Sequence, residues 1–570
     1  MSQLAERFRA LIGRGPKQNK HVISTHSERK VVVCSILAIL LLGLPLWWTT
    51  TRVYRADLPT ADINRYSPND AFGVPFSFYI DHDPRLPHSA IASIEKQAES
   101  LIEKEREPYR AGEWRVRYSA TVRQGKAPDV PGHYTLRVRT GAAPGIEVDT
   151  GRSLTVSLPK KKQHIERDLA RVISAIVAKE ERTVRNSHML GQKTTSRATA
   201  ESTKPQTALK YSPEFSITMT LLNEHPIGGA SVDWDIEGSV SAFMQSFVDA
   251  LRPLTKLTVT SQVLHHAGPP PVTPLVHDNK TYLTPDMLAH FVNSPSWNLA
   301  SVDPTSPMIN FILYVPTLST QPVHILESQT KGSKALGTDA FSISQWGGIA
   351  IANLPVGTKP GAKVVLSPDQ MQKYMGIFIA QLRALIGIRN DTPLEPRKLN
   401  KKQADDPLQH ITVRQAVDTG VSDWELDALM RQWMLYTRQT AITTLQSLVR
   451  LTDSLQNMVV MDEIKTQVDS SLLALTRIEQ SLNPEHPADN SQLSNHLKAF
   501  SLAAMASVKA EGAFFDPSMV SMLYFPDQHK YAIYLPFFLP VAIPLLSAVK
   551  KIFAESKRKP ASATSTKKSS

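Results

Sequence analysis

Three prolines inside an uncharged run constrain this chain more than any other feature. From Tyr531 to Val549 there are 19 residues without a charge, close to the minimum that crosses a hydrocarbon core of about 30 Å at about 1.5 Å per residue. Pro536, Pro540 and Pro544 recur within it at every fourth position. Each removes an N–H and crowds the carbonyl four residues back, which a soluble helix does not tolerate in its interior. The carbonyls of Ala532, Pro536 and Pro540 lose their helical donors, and their spacing places them on one face. In lipid such groups need partners from neighbouring helices, side chains or trapped water. The pattern predicts a transmembrane helix over 531–549 that docks against other protein through the face marked by Pro536, Pro540 and Pro544.

A second uncharged run, Val31 to Trp48, predicts another span. A signal peptide would have a shorter apolar region and a small-x-small cleavage site. Here Trp47 and Trp48 follow, as an interfacial anchor does. Residues 1–30 carry seven Lys/Arg against Glu6 and Glu28, and 550–570 carry seven against Glu555, so the tails hold nearly all of the net charge of +12. Both basic clusters flank the spans on their outer sides, which places both termini in the cytosol and the body on the opposite side. With a nearly neutral middle, the charge points to membrane flanks and not to nucleic acid. Lys567 and Lys568 resemble the dilysine retrieval signal of endoplasmic reticulum membrane proteins; the bland reading is a chance pair in a Lys/Ser/Thr-rich tail. Asn279 and Asn390 head N-glycosylation sequons within the body, the second weakened by Asp391 and Pro393.

The body reads as strands and amphipathic helices in alternation. Residues 52–70 form a polar stalk. Val74–Ile80 is a buried strand, His88–Arg106 an amphipathic helix, and Trp114–Val122 a half-exposed strand. A meander and a helix over His164–His188 complete a first α/β unit. After a Thr/Ser/Lys-rich stretch at 190–212 comes a second, with Ile309–Val315 as its central strand and a helix at Pro368–Ile388. From Val421 to Leu482 Gly and Pro nearly vanish and apolar residues recur at three and four, predicting a long helical pair, followed by a helix over Ser491–Ala510.

Catalytic patterns are thin. No Walker, G-x-S-x-G, H-E-x-x-H or G-x-G-x-x-G motif occurs. The single cysteine, Cys34, lies in the first apolar run, so the body offers neither a catalytic thiol nor a Cys-rich zinc site. His265 and His266 would point to opposite faces of a strand. Asp233 and Asp235 flank Trp234 and could do acid/base work, but a solvated turn is the plainer reading. Trp346-Gly347-Gly348 reads as a structural turn beside a strand. No metal or cofactor is expected.

Several segments resemble the PIG-S family, the S subunit of the glycosylphosphatidylinositol (GPI) transamidase: Leu44–Trp48 with Tyr54–Pro59, Trp346–Asn353, and above all Phe514–Pro540. The plan of two terminal spans around a large body is similar too. The resemblance implies a complex of the endoplasmic reticulum membrane that cuts a C-terminal signal from a precursor and joins the new carboxyl end to the ethanolamine amine of a GPI lipid. It implies a separate legumain-like Cys/His catalytic subunit, further membrane subunits as partners, and a non-catalytic role for this chain, with contact to GPI lipid or precursor through the complex. A body without cysteine agrees.

The expectation is therefore an α/β lumenal body of mixed sheets and amphipathic helices, followed by a helical block and anchored by two terminal transmembrane helices. Its divisions are a cytosolic arm at 1–30, a span at 31–49, α/β units at 50–190 and 191–400, a helical block and collar at 401–530, a span at 531–549 and a cytosolic tail at 550–570. The competing function is an independent, doubly tethered lumenal enzyme or glycan-binding module.

Overall fold

A computed structural model describes residues 26–51, 54–66, 72–81, 86–107, 116–141, 143–159, 164–186, 209–224, 230–277, 279–292, 297, 299, 306–328, 334–388, 393–394, 407–455, 458–483, 494–520 and 527–557. The chain divides into two compact units. The smaller draws on residues 1–58, 450–465 and 515–570, the larger on 59–449 and 466–514.

The chain enters through α1 (His26–Thr51), which runs unbroken past Pro45. Beyond it, within the smaller unit, Arg55 bridges to Val460. The Tyr54 hydroxyl donates to Asp462 Oδ1 at 2.8 Å and the Arg55 guanidinium to the Thr452 carbonyl at 2.8 Å. Part of the expected polar stalk is thus held by these contacts. It also contains α2 (Thr60–Arg65), which buries Ile63.

The first sheet is built from β1 (Phe72–Ile80), β2 (Val116–Gln124), β3 (His133–Thr140), β4 (Gly145–Val148) and β5 (Ser153–Leu158). With β16 (Ile411–Val413), from far along the chain, its order is β16-β4-β5-β3-β1-β2. Strands β2, β1, β3 and β5 are parallel neighbours, and β4 runs antiparallel to β5. Alternation along β1 buries Phe72, Val74, Phe76, Phe78 and Ile80 on one face. The helices α3 (His88–Arg106) and α4 (Ile165–Asn186) pack on each other and on β2. They bury Ile94, Ala98 and Ile102 from one and Leu169, Val172, Ile173 and Val177 from the other.

Strand β2 is an edge, and two of its outward N–H groups are answered by carboxylates. Glu181 accepts from Tyr118 N at 2.8 Å, and Glu95 from Val122 N at 3.0 Å. An open edge would invite another chain to pair.

The second sheet has the order β13-β14-β11-β6-β8. Its elements and their neighbours follow as β6 (Glu214–Asn223), β7 (Ser231–Trp234), α5 (Ile236–Phe243), α6 (Gln245–Leu251), β8 (Lys256–Leu264), β9 (Leu275–His277), β10 (Lys280–Leu283), α7 (Pro285–Phe291), β11 (Met308–Val315), β12 (Val323–Ile325), β13 (Ala340–Ile343), β14 (Gly347–Ile351), β15 (Lys363–Leu366) and α8 (Pro368–Ile386). Strand β11 lies between β6 and β14, parallel to both, and all but its first residue is buried. Such burial requires an apolar run without alternation, and MINFILYV supplies it. Helix α8 starts at a Ser367/Gln370 capping box and stops at Gly387, which takes the left-handed conformation at φ 90°.

A helical block completes the body. Helix α9 (Asp423–Ser454) has 32 residues and is followed by α10 (Asp462–Leu482) and α11 (Asn495–Phe514). Between Trp424 and Arg438, α9 is buried around most of its circumference. Helices α10 and α11 approach closely because α11 presents Ala499, Ala503, Ala506, Ala510 and Ala513 inward. Ser471 donates to the Ala506 carbonyl at 2.8 Å across that contact.

The short α12 (Pro517–Val520) precedes α13 (Asp527–Lys557), which continues as one helix through all three prolines. Its segment Ala532–Ala554 is, among the described residues, the one helix long and apolar enough to cross a membrane, with mean hydropathy 2.0. The apolar part of α1, Lys30–Gly43, is shorter. The fold is a mixed α/β body with a helical C-terminal block that leads into one long apolar helix.

Candidate functional site

The residues singled out from sequence do not converge. Asn279 is exposed at the turn from β9 to β10, in a left-handed conformation at φ 59°. Asn390, Lys567 and Lys568 lie outside the described residues. Pro536, Pro540 and Pro544 are exposed along α13. Asp235 caps α5 by accepting from Gly238 N at 3.0 Å, and Asp233 accepts from Trp234 N at 2.9 Å. Both carboxylates are held by local backbone, as a turn pair would be. The His265 ring meets Asn223 Nδ2 at 3.2 Å, and His266 takes a left-handed conformation at φ 59°. Among the described residues no cluster of His, Cys, Asp or Glu could hold a metal ion.

The Trp346-Gly347-Gly348 motif opens β14. Gly347 has φ 148°, and a Cβ there would lie 1.8 Å from the Asn310 carbonyl oxygen. A Cβ on Gly348 would lie 2.0 Å from Gln381 Oε1. Gln381 reaches in from α8 to donate to the Phe341 carbonyl at 2.9 Å. The glycines let helix and strand close on each other.

Sequence periodicity misses a charged centre between α9 and the first sheet. Asp427 and Arg431, one turn apart on α9, are both buried. The Arg152 guanidinium forks onto Asp427, with Nε to Oδ2 at 3.0 Å and Nη2 to Oδ1 at 2.8 Å. Arg431 donates from Nε to Glu180 Oε1 at 3.0 Å and from Nη1 to the Tyr134 hydroxyl at 2.7 Å. That hydroxyl in turn donates to Asp427 Oδ2 at 3.1 Å. Arg431 also lies 4.7 Å above the Phe76 ring, and Tyr134 stacks on Trp424 at 4.2 Å. Beside this centre Arg106 pairs with Glu181 and donates to the Tyr118 carbonyl at 3.0 Å.

Opposed charges keep the centre ionised. Burial works against the Arg431 cation, yet the field of Glu180, with Tyr134, Tyr118 and Asp427, holds its pKa well above the usual arginine value. Burial likewise opposes the charge of Arg152, while its bonds to Asp427 hold its pKa up. Burial pushes the Tyr134 hydroxyl far above its ordinary range despite Arg431 beside it, so it stays a neutral donor. A cavity of about 70 Å³ adjoins, lined by Phe76, Tyr134, Glu180, Trp424 and Arg431. Its wall holds no thiol, and Glu180 and Glu425 are committed to Arg431 and Arg383. The arrangement can fix the position of α9 on the sheet. One trace in the sequence points to it: Asp427 and Arg431 stand four apart on a helix whose inward positions are otherwise mostly apolar.

Comparison with known families identifies the architecture. Residues 34–559 match the family model PIG-S, phosphatidylinositol-glycan biosynthesis class S protein. The chain belongs to the PIG-S family. A human relative, named GPI-anchor transamidase component PIGS, is 29% identical over 573 residues, covering 94% of this chain and 97% of its own. The Schizosaccharomyces pombe relative, named GPI transamidase component PIG-S homolog, is 25% identical and covers 92% of this chain and 84% of its own. GPI transamidase component GPI17 of Saccharomyces cerevisiae is 24% identical and covers 92% of each. The PIG-S match begins inside α1 and ends just past α13, so it takes in both sheets, the helical block and the long apolar helix.

Proposed function

We propose that this PIG-S chain is a non-catalytic, structural subunit of the GPI transamidase of the endoplasmic reticulum membrane. The observation that carries the reading is the position of its one cysteine. Cys34 lies in α1, so the body has no thiol to form an acyl-enzyme with a precursor. The catalytic thiol then belongs to a separate subunit, the legumain-like chain implied by the sequence resemblance, and the other partners are the remaining membrane subunits.

In this reading α1 and α13 both span the bilayer. At 26 residues α1 is about 39 Å long, longer than a core of about 30 Å. The basic tails place both termini in the cytosol. The body then lies in the lumen, where Asn279 and Asn390 can be glycosylated and from which Lys567 and Lys568 are separated as a cytosolic retrieval signal. The proline-bearing α13 docks on other membrane subunits.

The test is purification of the full chain in mild detergent. Recovery with several other membrane proteins and with transamidation activity, retained in Cys34→Ser, is expected. A solitary chain with its own activity would overturn the reading in favour of a doubly tethered enzyme or glycan-binding module.

A further inference from the structure

We infer that the side of α13 turned away from α1 is the docking surface for a membrane helix of a different subunit, one that carries hydroxyl or amide donors opposite the Pro536 and Pro540 carbonyls. The inference rests on the subunit reading above and gives it a face and a partner chemistry.

Helix α1 lies beside α13. The half-buried positions are Val33, Leu37 and Leu40 on α1, and Tyr534, Ala542, Leu545, Ala548, Val549 and Ile552 on α13. At about 100° per residue each set forms a single stripe. On the same wheel Ala532, Pro536 and Pro540 fall on roughly the opposite side of α13. These residues own the carbonyls whose i+4 neighbours are the N–H-less Pro536, Pro540 and Pro544. The chain's other apolar helix therefore packs where the freed carbonyls are not. Their own side of α13 is open, with Ile533, Leu539 and Ile543 exposed by 49, 49 and 56%. Ser547 on that side gives its hydroxyl to the Ile543 carbonyl at 2.9 Å.

Depth decides what can answer them. The apolar run begins at Ala532, so the Pro536 and Pro540 carbonyls lie about 6 and 12 Å further along the helix. Interfacial water and headgroup donors reach Ala532 but not these two, since bilayer hydrocarbon supplies no donor. A helix bearing Ser, Thr, Asn or Gln among small residues supplies donors at that depth and permits close approach.

The experiment uses the assembled complex. Photoreactive groups at Ile533, Leu539 or Ile543 should cross-link to a different subunit, and the same groups at Leu545 or Val549 should cross-link within the chain to α1. Changing Pro536, Pro540 and Pro544 together to Ala restores three N–H donors while keeping a helix that inserts. It should lower the fraction of chain retained in complex under stringent washing by roughly tenfold, as two interhelical bonds of ordinary strength would, whereas Leu545→Ala should retain it. Cross-links from the outer stripe only to lipid or to a second copy, or full retention of the triple variant, would overturn the inference. Failure of the subunit reading has a different signature, because the unaltered chain would then not be recovered with the other subunits.

Discussion

Arg431 and Glu180 meet at 3.0 Å, Nε to Oε1, across the junction of α9 and α4, with the Arg431 side chain only 4% exposed. Two charges taken this far out of water tolerate loss of a partner poorly. Arg431→Met should destabilise the body by about 3–5 kcal/mol, because it strands Glu180 and removes a donor from Tyr134. Glu180→Gln in the same chain should recover part of that loss. A double-mutant cycle on thermal unfolding of the detergent-purified chain measures it, and additive losses would argue against the coupling.

His496 gives the body an acid-sensitive point. Its ring is buried against Gly132, its Nε2 meets the Pro75 carbonyl at 2.9 Å, and burial pulls its pKa down to about 3. The ring is therefore neutral in the fold and donates from Nε2. The unfolded chain takes up a proton near the ordinary imidazole value of 6.5, so stability is full above that pH and falls as pH drops towards 3. The slope contributed by this group is about 1.4 kcal/mol per pH unit. His496→Gln should flatten the change in Tm between pH 6.5 and 5.

Gly348→Ala should cost about 1–3 kcal/mol, since the new methyl meets Gln381. Adding Gln381→Ala should return part of the stability by clearing the clash. Gly347→Ala should show no such rescue, because its neighbour is the Asn310 backbone. Unfolding midpoints of the four variants check both statements.

Asn279 stands on an exposed hairpin turn. Asn279→Gln should remove one endoglycosidase-sensitive step in gel mobility and leave co-purification unchanged. Mobility identical to that of the unaltered chain would show that the sequon is not used.

What sequence made legible follows the physics of each element. Strand β11 announces itself because a strand buried on both faces must be apolar throughout, and α3, α4 and α8 carry the periodicity of a one-sided helix. The strands β7, β9, β15 and β16 have only three or four residues, too few for a period, and β16 owes its place to pairing with β4 across more than 250 positions of chain. Helix α2 hides in a polar stretch because only Ile63 is buried from it. The charged centre eluded the apolar reading of α9 for a related reason. Asp427 and Arg431 look like surface residues until Arg152, Glu180 and Tyr134 arrive from distant segments to satisfy them. The prolines of α13 are legible without any partner, because the missing N–H is a covalent fact.

The outer border of β2 has a consequence for assembly. With Glu181 and Glu95 occupying two of the places where a neighbouring strand would accept, the sheet is partly capped on that flank. A peptide that tried to extend it would have to evict two carboxylates, one of them also neutralising Arg106, at a cost of about 1–3 kcal/mol for each group left unsatisfied. A neighbouring subunit therefore meets less resistance in reading this flank by the shape and charge of its side chains, and a growing ribbon of chains is disfavoured there.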